Sequence, residues 1–327
     1  MKRIASSVLF LTLLGLVGTA AAATVSLGDT TPGQPAIKAH TDVAISIPLD
    51  NPASYSGTVA SISGSQLAIS GTPGFTAGQY ATAGSPFIVK FENGARSGLQ
   101  ALITSNTANT LTISIPAGDN LSGAVGSSIT IRPAWTLARL MGTSMPDGTQ
   151  VLGFSGTNPA INLSPDEVYE FAEGNWWDVI TFDTADAHVL YTGKAYIVRN
   201  NTSTPINSFV VSGEVPTSAS RVILSKKLSN RAQDNWISYV SPVDKPIGSS
   251  GLGAIANVDD EVLAFDNNFP GVNKSASRIV IWDGQHWLDA FSCEDVSQTF
   301  MLNGARAYVI RRDASAPIGN TIWSNVP

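Results

Sequence analysis

The feature that most constrains this chain is a phrase written twice. GKAYIVRNNTSTP at Gly193–Pro205 returns as ARAYVIRRDASAP at Ala305–Pro317, and two further matches precede it in the same order. Asp166-Glu167-Val168-Tyr169-Glu170-Phe171 matches Asp260-Glu261-Val262-Leu263-Ala264-Phe265, and Glu173-Gly174-Asn175-Trp176-Trp177 matches Asp283-Gly284-Gln285-His286-Trp287. The offsets are 94, 110 and 112 positions, which puts about sixteen extra residues between the first two signatures of the second copy. Three ordered matches predict a duplicated module: a short helical turn, a strand, a tryptophan strand, then the Ala-Tyr strand closing on Arg and a Pro turn. A unit this short has an apolar face and a sheet edge to cover, so the two copies are expected to pack together or extend one sheet.

Strand signals dominate the rest. Val43, Ile45, Ile47 and Leu49 alternate with smaller residues, as do Phe87, Val89 and Phe91, and Leu111, Ile113 and Ile115. This period of two lines one face of a sheet. Gly64-Ser65 and Asn93-Gly94 punctuate these runs as hairpin turns, the second more strongly because its favoured turn needs positive φ at both central residues. Residues 24–133 read as a small antiparallel N-terminal β domain, barrel or sandwich-like. Two related β modules follow, 134–220 and 221–327. Helical signal is confined to Thr136–Gly142 and, weakly, Ile247–Ala256, where three glycines oppose it. The fold class expected is all-β.

Lys2 and Arg3, an apolar run over Val8–Val17 and the small-residue exit Ala20-Ala21-Ala22-Ala23 predict a secretory signal peptide over residues 1–23, cleaved after Ala22 or Ala23. No later stretch reaches the ~20 apolar residues of a membrane span. Without Lys2 and Arg3 the excess of acidic over basic residues grows from six to eight, which argues against nucleic acid or an anionic membrane as partner. Cys293, the one cysteine, reads as a small core residue.

With these residues in hand, the chain resembles a family of uncharacterised secreted bacterial β-rich proteins. The likeness runs through YSGTVASISG near Tyr55, NGARSGLQALITSNTANTLTI near Asn93, IRPAWTLARL near Ile131 and DEVLAFDNNFPGVNKSASRIVIWDG near Asp260. It implies a secreted protein and assigns no activity or catalytic residues.

Candidate chemistry is sparse. A nucleophile triad needs a positioned histidine, and the chain offers His40, His188 and His286 with no G-x-S-x-G elbow. Metal-ligand spacings are missing, so no cofactor is expected; Asp259, Asp260, Glu261 and Asp266-Asn267 could offer oxygens to calcium but read more readily as a solvated acidic loop before a strand. Asp166-Glu167 and Asp260-Glu261 could face each other as a glycosidase pair, which needs carboxylates ~5–9.5 Å apart. The tryptophans suit stacking on sugar rings. Adjacent strand residues point to opposite faces, and the match pairs Trp177 with Trp287 and Trp176 with His286. Trp177 and Trp287 are therefore expected in the core with Tyr196 and Tyr308, and Trp176 and His286 on the surface as ligand-binding candidates. The function expected is that of an exported, non-enzymatic structural or cell-surface interaction protein, periplasmic, surface-bound or released. Its partners would be surface polysaccharide or cell-envelope proteins. A carbohydrate-binding protein is the alternative and a glycan-active hydrolase the third.

Overall fold

The computed structural model describes residues 21–154, 156 and 158–325. The expected leader lies outside them except for Ala21–Ala23, and the first strand, β1, Ala22–Ser26, pairs Ala22 with Glu214. Cleavage after Ala22 or Ala23 would trim that strand by one or two residues.

The chain is nearly all β, with one α-helix among the described residues. After β1 comes β2, Thr41–Ile45, all five residues of which are buried. The chain then builds a barrel: β3 Tyr55–Ser63, β4 Gln66–Ile69, the short β5 Ala81–Thr82, β6 Ser85–Phe91, β7 Gln100–Asn106, β8 Thr110–Ser114 and β9 Ser128–Pro133. The order β6-β7-β8-β4-β3-β9 closes because β9 pairs back onto β6, giving six antiparallel strands with no free edge. Register shifts at Val59/Ser61 and Ile103/Ser105 supply the local bends that closure needs. Alternating residues fill the interior, among them Val59, Leu67, Val89, Phe91, Ile103, Leu111 and Ile131. The Gly64-Ser65 turn joins β3 to β4 as the sequence indicates. Asn93-Gly94 does not make a two-residue turn: Asn93 is extended, and a 3-10 turn at Gly94–Arg96 lengthens the β6–β7 connection.

Beyond the barrel follow β10 Trp135–Thr136, α1 Leu137–Met141, β11 Thr149–Gly153, β12 Glu167–Ala172, β13 Asn175–Asp178, β14 Val189–Leu190, β15 Tyr196–Asn200 and β16 Val210–Glu214. The final stretch holds β17 Ser220–Lys226, β18 Gln233–Ser238, β19 Lys245–Pro246, 3-10 turns at Ile247–Ser249 and Leu252–Ala254, β20 Glu261–Ala264, β21 Arg278–Trp282, β22 Trp287–Asp289, β23 Met301–Leu302, β24 Ala307–Arg312 and β25 Gly319–Asn325.

Two five-stranded sheets organise these elements. One runs β13-β12-β11-β15-β2 and the other β22-β21-β20-β24-β18, so each place in the first has a counterpart in the second. The ribbons β1–β16 and β17–β25 also correspond, as do β10–β14 and β19–β23.

This arrangement corrects two expectations. Residues 24–51 are not part of the barrel domain: β2 hydrogen-bonds to β15 and β1 to β16, so the barrel is an insert in the first sheet unit. The chain leaves that unit at Asp50 and returns at Trp135, where Trp135 Nε1 donates to Leu49 O at 2.8 Å and Asn51 Nδ2 to Pro133 O at 3.0 Å. Second, Asp166–Phe171 falls largely on β12 and Asp260–Phe265 on β20, which are not counterparts. The counterpart of β20 is β11. Gln150-Val151-Leu152-Gly153-Phe154 corresponds to Glu261-Val262-Leu263-Ala264-Phe265, each pair 111 positions apart, and Trp176 to Trp287 keeps that spacing. The sixteen-residue insertion disappears.

Candidate functional site

The tryptophan assignments come out differently from expectation. Trp176 is fully buried, its indole N–H donating to Gly142 O at 3.1 Å and its ring edge-on to Phe171 at 5.4 Å. Trp287 is fully buried beside Trp282. Trp177 is half-buried and bonds locally to Ala172 O, while His286 is exposed beside Asp283. Trp176 and not Trp177 is therefore the core anchor. Matching the acidic-glycine dipeptides Glu173-Gly174 and Asp283-Gly284 places the strands one residue out of phase, and a slip of one residue exchanges a strand's inward and outward faces. Tyr196 and Tyr308 are both buried on the corresponding strands β15 and β24, each phenol oxygen accepting a backbone N–H, from Tyr191 at 2.9 Å and from Asn303 at 2.6 Å. Burial pushes both phenols up, Tyr308 to about 12.

The acidic stretch Asp259–Glu261 is not a solvated loop throughout. Asp260 is fully buried; its oxygens accept from Asp313 N and Asn257 N, both at 2.8 Å, and Arg312 Nε lies 3.0 Å away. Both oxygens are thus committed, and no group of three metal-ligating side chains occurs among the described residues. Cys293 is exposed, not core.

The groups that do converge lie between the two sheets. Arg199 on β15 grips Asp42 on β2 with two bonds, Nε to Oδ1 at 2.7 Å and Nη2 to Oδ2 at 2.8 Å. Arg311 on β24 grips Asp234 on β18 in the same way, at 2.7 and 3.1 Å. Each pair is then capped by the other unit. The β20–β21 connection brings Asn273 to the first pair, its N–H on Asp42 Oδ2 at 2.7 Å and its Oδ1 on Arg199. The β11–β12 connection brings Asn162 to the second, its N–H on Asp234 Oδ2 at 2.7 Å and its Oδ1 on Arg311. Asp42 N donates to Gly271 O and Asp234 N to Ala160 O, both at 2.9 Å. Asn162 and Asn273 both adopt left-handed backbone, which asparagine tolerates better than most residues. The contacts are reciprocal, so an approximate twofold axis relates the two units, and each covers the other's edge strand with a loop. On the axis lies a cavity of about 430 Å³ lined by Leu152, Ile197, Leu263 and Val309. The symmetry breaks at Ala44, whose counterpart Trp236 stacks between Phe154 and Phe265 at 4.5 and 5.3 Å.

At the outer end of each sheet a loop stands clear of the body. After β13, Asp178 Oδ1 accepts from Ile180 N and Thr181 N, Phe182 N donates to Asp178 O, and Asp178 N to Asp183 O. After β22, Asp289 Oδ1 accepts from Phe291 N and Ser292 N, Cys293 N donates to Asp289 O, and Asp289 N to Glu294 O. The left-handed position is Phe182 in one loop and Cys293 in the other. The apolar side chains at these tips face solvent: Ile180 is 68%, Phe182 77% and Phe291 84% exposed.

His188 is half-buried against Tyr169, whose hydroxyl lies 3.0 Å from its ring nitrogens, and burial pushes the imidazole down. Comparison with family models, with curated proteins and with solved structures finds no match to this chain.

Proposed function

We propose that the chain is an exported, non-enzymatic structural or cell-surface interaction protein, built from two copies of one β unit, the first carrying the barrel as an insert. The observation that carries this reading is the pair of outer tips. A bulky residue such as Phe182 at positive φ is costly, and such strain is retained where surrounding structure over-determines it. Here the same hydrogen-bonded frame recurs at both ends and holds apolar side chains in water, which suits attachment at two points. The converging charges support a non-catalytic role, because Arg199, Asp42, Arg311 and Asp234 are spent on locking the units together. The basic start, apolar run and Ala-x-Ala exit support export, and the resemblance to secreted β-rich proteins points the same way. Partners on this reading are cell-envelope proteins or surface polysaccharide. The alternative of sugar stacking on Trp176 loses its support, since that ring is core.

Fractionating producing cells tests the reading. The parent is expected in the envelope or medium with an intact mass that lacks Met1–Val17. A Phe182→Ser/Phe291→Ser variant is expected to lose envelope association at unchanged thermal stability. A cytosolic protein that retains Met1–Val17 would sink the export argument, and undiminished envelope association of the variant would remove the tips from it.

A further inference from the structure

Where the chain leaves the first unit for the barrel, two charged side chains meet out of water. Lys90 on β6 and Asp50 are both buried, and Lys90 Nζ donates to Asp50 Oδ2 at 2.5 Å. Both stand on fixed backbone. Lys90 lies between β7 and β9, opposite Gln100 and Thr130, and Asp50 exchanges two backbone hydrogen bonds with Glu214, at 2.9 and 2.8 Å.

The hydrogen bonding of Lys90 is incomplete for an ammonium, which has three N–H groups to place. Lys38, Lys226 and Lys274 each donate to two acceptors. Lys90 is as buried as Lys226, yet among the described residues it has the Asp50 carboxylate alone. An amide nitrogen carries a single N–H, so condensation of the two groups would remove both the surplus donors and the buried charges. A third group completes the set. Phe91 fills the barrel interior, so Lys90 and Glu92 share the outer face, and Thr130, directly opposite Lys90, donates to Glu92 Oε1 at 2.5 Å. Burial pushes the Glu92 carboxyl up, but the Lys90 charge, hydrogen bonds from Ser218 and Thr130 and the Arg132 charge hold it below its ordinary 4.5, as a carboxylate able to take a proton.

We propose that Lys90 and Asp50 condense into an amide cross-link after folding, with Glu92 as the base. The Lys90 ammonium passes one proton along the hydrogen bond to Oδ2, which gives a neutral amine against a carboxylic acid. Nζ then attacks Cγ, one C–O bond beyond Oδ2, from a position the fold has already set. Glu92 takes a proton from the attacking nitrogen and returns it to the Oδ2 hydroxyl, which leaves as water. One C–N bond forms, one C–O bond breaks, and Glu92 ends as it began. The bond fastens the inserted barrel to the unit that carries it, which the single cysteine cannot do. It is independent of the outer tips and of where the protein resides.

The test is the mass of the purified full chain after denaturation in guanidinium, which dissolves an ion pair and leaves an amide intact. A mass short by one water is expected, and chymotrypsin is expected to release the Asp50 and Lys90 peptides joined as one branched species. Lys90→Met and Glu92→Gln are expected at full mass, with circular dichroism showing each folded. If either variant fails to fold, the mass and the branched peptide of the parent still decide. A parent at full mass, a water lost at any other place in the chain, or an undiminished link in folded Glu92→Gln overturns the proposal.

Discussion

Asp260 and Arg312 form an ion pair out of contact with water, at 0% and 2% exposure with Nε 3.0 Å from the carboxylate. Their counterparts in the first unit are Thr149 and Asn200, each fully buried and neutral. Thr149 Oγ1 donates to Pro146 O, and Asn200 Nδ2 donates to Thr204 O while its Oδ1 accepts from Thr202. One fold thus holds the same two places with charges once and with neutral hydrogen-bonding groups once. Breaking a buried pair by removing one partner costs roughly 3–5 kcal/mol, because the other charge stays buried and uncompensated, whereas replacing both is often neutral or stabilising. Asp260→Thr alone also strips acceptors from Asn257 N and Asp313 N, so the upper part of that range is expected. Against a typical whole-domain stability of about 5–15 kcal/mol this is a large loss. Asp260→Thr/Arg312→Asn is expected to lose no more than Asp260→Thr alone, so the cost of Arg312→Asn by itself, about 3 kcal/mol, appears as the coupling between the positions.

Urea unfolding of the four proteins, followed by far-ultraviolet circular dichroism, measures that coupling. Acid adds a second reading. Burial outweighs the two backbone N–H groups and Arg312 and pushes the Asp260 carboxyl above its ordinary 3.8. A carboxyl raised on folding binds its proton more tightly in the folded state, so its contribution is largest below pH 3.8 and is lost as pH rises through the folded value. Parent stability relative to the double variant is therefore expected to improve as the pH falls toward 3.8. Additive single losses, or a pH-independent difference, would refute the reasoning.

Trp176→Ala is expected to cost about 3–5 kcal/mol and Trp177→Ala about 1–2, because only the first empties a fully buried site, and paired urea titrations check the order. Asn162→Ala and Asn273→Ala each remove one hydrogen bond to a charged group, about 1.5–3 kcal/mol, and are expected to speed amide exchange at Asp234 and Asp42 respectively, read by hydrogen-exchange mass spectrometry. The Asp289 carboxyl is held below its ordinary value by Phe291 N and Ser292 N, so this support is present above pH 3.8 and lost as the pH falls through the lowered value; in nuclear magnetic resonance, the Phe291 and Ser292 amides are expected to lose protection under acid. Cys293 is expected to react with a thiol reagent in the native protein, with a rate little changed by mild urea, whereas protection until unfolding would place it in the core.

Local order was legible in the sequence because alternation is a local property. Leu111 and Ile113, Val89 and Phe91, and the Gly64-Ser65 turn fall where the period of two puts them, and α1 lies within Thr136–Gly142. Pairing is not local. Val43 and Ile45 alternate as any strand does, and nothing in that pattern says that they pair with Val198 and Tyr196 across an inserted barrel. The same gap hid the ion pairs, since Asp42 and Arg199 lie 157 positions apart and neither sits in a charged run.

Each Ala-Tyr strand carries an arginine, Arg199 on β15 and Arg311 on β24, at equivalent strand positions. An arginine kept at one register position of an otherwise apolar strand requires a fixed anion, and an antiparallel neighbour supplies one only if its directly opposed residue is acidic. Asp42 and Asp234 are those opposed residues. Each is the second residue of its strand and follows a polar one, Thr41-Asp42 on β2 and Gln233-Asp234 on β18, so both of the arginines' partners stand at the head of a strand. The glycine-bearing turn before each Trp strand misled because a turn can shift by one residue while the strand pairing does not. Phe171 opposes Trp176 and Trp282 opposes Trp287, with four residues between in each case. Cross-strand opposition, more than the composition of the turn, therefore decides which tryptophan enters the core.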